Sequence, residues 1–463
     1  MPHDQARNNR KLLVSVFNPQ EAREALLGGA RIVDSEDPRS ALGNIKPREI
    51  MKVSDAVLNY QRNAEVQLST NIGEDQLLFD RTASGQAVEK SPYEIAGKAA
   101  QAALGVAVAM GNRVHPCNIV KVGLDAMKRD ALENVLREVV DTLNSTEDYC
   151  HTQVMSVLFV QDLDLWEQRK TVDIVRRELI GSREFHPQQK GDDVFDLLDY
   201  LDVFKEDDGK PTFPGAKPSV ETLIAKGYLP TGAENTRVAL NDLHPHHEFG
   251  LTRTAKRKTD QEAIREMVDA TAAAGADAIM LDTSILMKAS RVSLVSTEGS
   301  GELIDFNALD VHKDSGLARK GILSLDDIRF FVDYCHYRGI EANLAGSFLS
   351  YHAQQIWRLV PEVDHISTRG GSSATPKDLS QKGAPGEDSR RTKVIKRSLV
   401  SGLIPPEQGG YLWLPSGMMK NPATHEAVEA FHQRHGDLPV FVADDEGKLT
   451  SYEKPAYATG KDE

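Results

Sequence analysis

The chain has 463 residues, of which 40% are hydrophobic, so it is long enough for a full core and more than one ordinary domain. Its net charge of −14 argues against general nucleic-acid binding, and its 3 cysteines do not suggest a disulfide framework. No stretch approaches the roughly 20 apolar residues of a membrane span, and the polar first residues lack the core of a signal peptide. We therefore expect a cytoplasmic protein without nucleic-acid or membrane partners.

From residue 11 onwards, short β-branched runs alternate with amphipathic helical segments. Asn18 and Pro19 mark the first helix start, as an N-cap followed by proline at the first helical position. The predicted strands cover residues 11–17, 31–34, 65–69, 118–122, 154–160, 278–281, 340–344 and 365–368. The predicted helices cover residues 19–27, 48–61, 92–110, 129–143, 261–274, 325–337, 351–359 and 390–400. Eight such units predict a parallel sheet with right-handed crossovers, closed into a (β/α)8 TIM barrel.

The predicted barrel spans residues 11–403, and residues 404–463 form a C-terminal extension. Long insertions follow strand five, at residues 161–260, and strand six, at residues 284–321. Such βα loops lie over the active face of a barrel, so we interpret the first insertion as a lid or an oligomer contact. Because barrels with long insertions often assemble, we expect a homo-oligomer.

Small residues follow the last two predicted strands, and they indicate a phosphate site. Small residues let backbone N–H groups approach a phosphate. The loops after the last two strands are also where (β/α)8 barrels frequently bind phosphate. A serine hydroxyl and an arginine guanidinium add charge-assisted hydrogen bonds. The predicted phosphate-binding residues are Gly346, Ser347, Arg369, Gly370 and Gly371. The alternative is that these glycines only turn the chain.

Lys121 lies inside an apolar run, and strand alternation points it into the barrel together with Ile119. Burial lowers the pKa of a lysine and suits it to act as a base or an amine nucleophile. The alternative is a structural ion pair with Asp34 or Asp282, which end apolar runs on other strands. These two carboxylates are candidates for orienting the lysine or moving protons, or for capping the segments that follow them.

The histidines at 244, 246 and 247 suggest a metal site, but proline 245 disrupts helical ligand spacing. We interpret this cluster as a solvated loop and predict no metal and no cofactor. The sequence contains no Walker loop, no HExxH, no G-x-S-x-G and no dinucleotide fingerprint.

An ordered set of short motifs resembles the (5-formylfuran-3-yl)methyl phosphate synthase family, also called 4-(hydroxymethyl)-2-furancarboxaldehyde-phosphate synthase. The resemblance spans about residues 11–403 without the insertions. Its motifs lie at residues 12–16, 28–34, 37–38, 41–43, 102–105, 120–124, 280–283, 344–347 and 369–370.

The resemblance implies a barrel lyase that condenses two glyceraldehyde 3-phosphate molecules into a phosphorylated furan aldehyde, for methanofuran-type one-carbon cofactors. Its mechanism resembles that of class I aldolases, with a Schiff-base lysine and a second lysine as base. The second lysine corresponds to Lys121, and the family's aspartates correspond to Asp34 and Asp282. The Schiff-base lysine, however, corresponds to Glu36, and a carboxylate does not form an imine. Lys46, Lys121 and Lys288 are the candidate replacement amines.

Three functions follow from these residues. The first is the family reaction with a relocated amine. The second is an enzyme acting on a related phosphorylated aldehyde or furan without a Schiff base, in which Lys121 and Glu36 have acid/base roles. A carboxylate near Lys121 would hold the lysine charged, which favours a proton donor over a nucleophile. The third is a non-catalytic homologue that binds a phosphorylated metabolite or partner subunits.

Overall fold

A closed barrel of eight parallel strands lies at the centre of the computed structural model. Along the chain each strand pairs with the next, and β8 closes the barrel by pairing with β1. The barrel strands, in chain order, are β1 (Lys11–Val16), β2 (Ile32–Ser35), β3 (Gln67–Asn71), β4 (Ile119–Gly123), β5 (Gln153–Phe159), β6 (Ala278–Asp282), β7 (Glu341–Leu344) and β8 (His365–Thr368).

One helix follows each strand and lies outside the barrel, so the predicted (β/α)8 fold is confirmed. The helices are α1 (Pro19–Leu27), α2 (Pro47–Tyr60), α3 (Pro92–Ala109), α4 (Arg129–Asn144), α5 (Asp260–Ala273), α6 (Leu325–Arg338), α7 (Ser350–Leu359) and α8 (Arg397–Ser401). The last helix is shorter than predicted, because Val394 and Ile395 pair with Ala374 and Ser373 in a small antiparallel ladder. Because of that pairing, residues 394–395 have extended backbone, whereas the sequence predicted a helix over residues 390–400.

The structure describes residues 10–37, 45–60, 66–72, 79–81, 87–89, 92–109, 117–123, 129–145, 152–160, 206–207, 210–211, 260–283, 292–297, 301–311, 318–375 and 393–453. Most of the insertion at 161–260 lies outside these residues, as do Lys288 and the histidines at 244–247. No helix in the described ranges is long and apolar enough to cross a membrane.

Strand alternation separates two cores. The side chains that face the barrel axis form one hydrophobic cluster, which includes Leu13, Ile32, Ile119 and Met280. Their neighbours along each strand face outwards and pack against the helices. This parity decides which polar side chain near a strand end enters the barrel.

The first helix begins as its sequence predicts. The Asn18 side chain accepts a hydrogen bond from the Glu21 N–H at 3.0 Å, and Pro19 occupies the first helical position. Such a cap stabilises a helix by about 1 kcal/mol. It also fixes Glu21 beside the C-terminal end of β1, where it enters the candidate site.

The segment after the barrel forms a three-stranded sheet (Leu412–Pro415, Val440–Ala443 and Leu449–Ser451) with one helix, α9 (Ala423–His435). Its Leu414 and Phe431 share a hydrophobic cluster with Tyr351 of α7. Arg10, just before β1, forms an ion pair with Glu407. The extension therefore packs against α7 and the residue before β1. A domain boundary at residue 403 stays a prediction.

Candidate active site

Four buried polar side chains meet at the C-terminal end of the barrel axis, and we call Ser15, Asp34, Glu36 and Lys121 the lysine cluster. Lys121 Nζ donates to Asp34 Oδ2 at 2.7 Å and to Glu36 Oε2 at 3.0 Å. The Ser15 hydroxyl donates towards the same two oxygens, at 3.1 and 3.2 Å. Lys121 is 2% exposed, so both ion pairs form away from solvent.

The strand register accounts for this meeting. Ser15 lies beside Asp34 across the β1–β2 ladder, and Asn71 lies beside Lys121 across the β3–β4 ladder. Lys121 and Asp34 therefore belong to strands separated by β3, and inward parity turns both towards the axis. Glu36 follows β2 by one residue and shares the parity of Asp34. The predicted inward direction of Lys121 agrees with this geometry.

The expected lowering of the Lys121 pKa is wrong. Burial does lower the pKa of this lysine, but the charges and hydrogen bonds of Asp34 and Glu36 raise it more strongly. The net result is a pKa above the usual value of 10.5, so Lys121 is an ammonium at neutral pH. An ammonium has no lone pair for attack on a carbonyl, but it can donate a proton or bind an oxyanion.

The pKa of the Asp34 carboxyl shifts in the direction that matches this pairing. Burial raises the pKa of its carboxyl, but the Lys121 charge and hydrogen bonds from its neighbours lower it further, to a net value below 3.8. Asp34 is fully buried, so its charge is stabilised by these neighbours rather than by water. The lysine and the aspartate hold each other in the charged form. The structural ion pair between Lys121 and Asp34 is thus present, and Lys121 forms a second ion pair with Glu36.

The other predicted catalytic residues are more scattered. Asp282, at the end of β6, is 3% exposed and accepts a hydrogen bond from the adjacent Thr283 N–H at 2.7 Å. The segment that it would cap, from residue 284 onwards, lies outside the described residues. Lys46 is exposed just before α2, outside the lysine cluster. The third candidate amine, Lys288, lies outside the described residues.

The loop after β7 has an unusual backbone. Gly346 has φ +112°, and Ser347 follows with φ 56°, the one positive φ found on a described residue other than glycine. A Cβ at Gly346 would lie 2.7 Å from Thr283 Oγ1, so the close approach of two βα loops also requires glycine. Left-handed backbone at a serine is strained, and such strain concentrates at functional sites.

The two glycines after β8 differ from each other. A Cβ at Gly371 would lie 2.0 Å from the Phe348 carbonyl oxygen, whereas nothing lies within 4 Å of one at Gly370. Gly371 therefore allows the β7 and β8 loops to pack together, in line with the structural alternative for it. Gly370 is exposed and available to a ligand.

Arg369 already has an anionic partner, which sequence reasoning missed. Its Nη1 and Nη2 donate to the two oxygens of Glu21 at 3.0 and 3.2 Å. Nη1 also donates to the Ser15 carbonyl oxygen, and the Phe17 N–H donates to Glu21 at 2.7 Å. Glu21 is buried, so its carboxylate occupies the position that a ligand anion would need. The signal for it in the sequence was an acidic residue in the first turn of α1.

No group of three metal-binding side chains occurs in the part of the chain that the structure describes. What the strand ends bring together is an ionised lysine with two carboxylates, and the strained loop at Ser347 follows β7 at the same end of the barrel. The fold and this geometry define a (β/α)8-barrel protein with a charged, solvent-excluded cluster at its active face.

Residues 12–178 match the family model described as 4-HFC-P synthase. The matched range contains the whole lysine cluster. The match confirms the resemblance first seen in the motifs. None of the curated proteins matches the chain significantly.

Solved structures with similar architecture include a thiamine phosphate pyrophosphorylase from Pyrococcus furiosus, 12% identical, with a TM-score of 0.32 over 87% of this chain and 99% of that one. A phosphoribosylanthranilate isomerase from Thermotoga maritima is 9% identical, with a TM-score of 0.32 over 86% and 99%. A 2,3-dimethylmalate lyase is 8% identical, with a TM-score of 0.30 over 92% and 98%. Likeness at this level carries no argument about activity.

Proposed function

We propose that the protein is a lyase that acts on a small phosphorylated aldehyde without forming an imine on Lys121. The observation that carries this proposal is the double ion pair of Lys121 with Asp34 and Glu36, at 2.7 and 3.0 Å. A lysine held as an ammonium stabilises a developing oxyanion or returns a proton. It does not supply the lone pair that a Schiff base needs.

We assign proton abstraction to Glu36, which lies one residue beyond the end of β2. In this step the Glu36 carboxylate removes the proton next to the aldehyde carbon. The carbonyl oxygen becomes an enediolate oxygen, which the Lys121 ammonium stabilises. The electron pair then expels the phosphate from the adjacent carbon, so that one C–H bond and one C–O bond break and a C=C bond forms. This is the chemistry of a carbon–oxygen lyase acting on phosphates.

Glyceraldehyde 3-phosphate is the substrate we propose, since the family match covers the lysine cluster and the resemblance described above implies condensation of this aldehyde into a phosphorylated furan. The elimination above then supplies the first half of that condensation. A place in the synthesis of a methanofuran-type one-carbon cofactor belongs to the same proposal. Gly346, Ser347, Arg369, Gly370 and Gly371 remain the proposed phosphate-binding residues, with Glu21 displaced from Arg369 when the substrate binds.

The test is proton exchange at carbon 2 of glyceraldehyde 3-phosphate in deuterated water, followed by NMR together with phosphate release. We expect the wild-type protein to catalyse both, and E36Q to slow exchange by about 100-fold or more, the contribution of a general base. K46Q serves as the control, since it removes a candidate amine outside the cluster, and it should leave both rates unchanged.

Two results would contradict the proposal. A large loss in K46Q would indicate the family reaction with a relocated amine. Binding of the aldehyde by the wild-type protein with neither exchange nor phosphate release would indicate a non-catalytic homologue. In that case the lysine cluster would serve stability rather than catalysis.

A further inference from the structure

A buried histidine lies directly behind the strained loop that follows β7. His352, in the first turn of α7, is 1% exposed. Its Nδ1 accepts a hydrogen bond from the Leu349 N–H at 3.1 Å, and its Nε2 lies 2.7 Å from Asn307 Oδ1. The Asn307 amide nitrogen in turn donates to the Val295 carbonyl oxygen at 3.0 Å.

These contacts determine the protonation of the ring. Because the Leu349 N–H can only donate, Nδ1 has to be the unprotonated nitrogen. A neutral ring then carries its hydrogen on Nε2, which donates to Asn307 Oδ1. The Asn307 amide is oriented by its own donation to Val295, so the chain of hydrogen bonds runs in one direction. Each donor in this chain of hydrogen bonds has an acceptor. A second ring proton, on Nδ1, would face the Leu349 N–H and would have no acceptor.

The chain joins two parts of the molecule that are 45 residues apart in sequence. Asn307 belongs to the one-turn helix Phe306–Leu309, inside the insertion after β6. Leu349 ends the loop that contains Gly346 and Ser347. A further hydrogen bond, from the Leu294 N–H to the Gly346 carbonyl oxygen at 3.1 Å, holds the start of the same loop. The insertion therefore contacts the start of the loop directly and the end of the loop through His352.

We propose that neutral His352 is a positioning residue that holds the loop at residues 346–349 in its strained, ligand-binding conformation. Protonation of His352 would release the loop, because two donors, Nδ1–H and the Leu349 N–H, would then face each other. The role in ligand binding rests on the proposed phosphate site, whereas the hold on the loop does not.

The surroundings of His352 keep it neutral. Burial lowers its pKa well below 6.5, the Arg319 charge lowers it further, and Asp310 acts in the opposite direction. Arg319 and Asp310 pair with each other at 2.8 Å, and the Tyr351 hydroxyl donates to Asp310 at 3.1 Å. The ring of Phe348 packs edge-on against the imidazole. Burial and the Arg319 charge together outweigh the Asp310 charge, so the neutral ring is favoured.

The experiment compares H352Q, H352A and the wild-type protein by hydrogen exchange of the Leu349 amide and by binding of inorganic phosphate. Glutamine retains one acceptor and one donor, so H352Q should keep the protection and the affinity within about twofold. H352A should lose at least about tenfold in both, the effect of one broken buried hydrogen bond. H336Q, at a half-exposed histidine of α6, is the matched control and should change neither.

The wild-type ring should also show the Nε2–H tautomer in its nitrogen NMR shifts, and should stay neutral at pH values where an ordinary histidine is already protonated, because burial lowers its pKa. Unchanged Leu349 protection in H352A would overturn the proposal, and so would an H352Q variant as impaired as H352A, which would indicate packing alone. If the wild-type protein binds no phosphate, the proposed phosphate site fails, while the exchange measurement still decides whether His352 holds the loop.

Discussion

Lys121 and Asp34 are 87 positions apart in the sequence, yet their charged atoms lie 2.7 Å apart inside the barrel. Neither side chain has the solvent that would stabilise its charge alone, since they are 2% and 0% exposed. Each therefore depends on the other, with Glu36 as the second anion. This pairing holds Lys121 as an ammonium inside the barrel.

Removing the Lys121 ammonium should destabilise the protein. K121M removes the ammonium that Asp34 and Glu36 share, and we expect it to lower the free energy of unfolding by about 3–5 kcal/mol. The double variant D34N/K121M should regain at least about 1 kcal/mol, because the buried Asp34 charge is removed together with its cation. Urea denaturation of both single variants and the double variant provides the cycle. Strict additivity of the two changes would contradict the pairing.

The pH dependence follows from the directions of the two pKa shifts. Asp34 has a folded-state pKa below 3.8, so its contribution is present above that pH and is lost as the pH falls through the folded-state pKa. Lys121 has a folded-state pKa above 10.5, so its contribution is present below that pH and is lost only in stronger alkali.

The difference in unfolding free energy between the wild-type protein and D34N should therefore stay constant from about pH 5 to about pH 9, and shrink below about pH 4. Denaturation curves across this range give the measurement. D55N, at an exposed aspartate of α2, is the control and should track the wild-type protein throughout. A difference that changes near neutral pH would mean that another group titrates within the cluster.

The barrel was predictable because each strand and each helix has its own local hydrophobic period, and the alternation of units then restricts the topology. The last helix was predicted too long because a tertiary contact, the pairing of Val394 with Ala374, decides its start. No local pattern records that contact.

The site was predictable only residue by residue. Strand parity placed Lys121 inside the barrel, and the sequence offered Asp34 and Asp282 as alternative partners. Which of them it meets depends on how far neighbouring strands are staggered, and the sequence does not reveal that stagger. The direction of its pKa shift was wrong for that reason. Arg369 was placed at the correct strand end, but its partner Glu21 comes from the first turn of a helix more than 300 residues earlier.

The two adjacent glycines after β8 offer a matched comparison. G371A would place a Cβ 2.0 Å from the Phe348 carbonyl oxygen, and we expect a loss of about 2 kcal/mol or more in unfolding free energy. G370A meets open space and should stay within about 0.5 kcal/mol of the wild-type protein. Equal effects of the two substitutions, measured by thermal and urea unfolding, would argue against the packing of the β7 and β8 loops.

The protein should be more stable with glycine at position 347. Its φ of 56° is strained for a residue with a Cβ, so S347G is expected to raise the unfolding free energy by about 0.5–1 kcal/mol. S347A keeps the Cβ and loses the hydroxyl, so its stability should remain near that of the wild-type protein. If the hydroxyl binds phosphate as proposed, both variants weaken phosphate binding, which calorimetry measures. Destabilisation by S347G would mean that the loop needs the serine side chain for its own structure.

In the proposed function, Lys121 works as an ammonium held by Asp34 and Glu36, and not as an imine-forming nucleophile. The most direct test is borohydride reduction in the presence of glyceraldehyde 3-phosphate, read by intact mass and peptide mapping. We predict phosphate release by the untreated protein and no reduced adduct on Lys121. A stoichiometric adduct on Lys121 would show that this lysine loses its proton during the reaction, and would contradict the proposed role of Lys121.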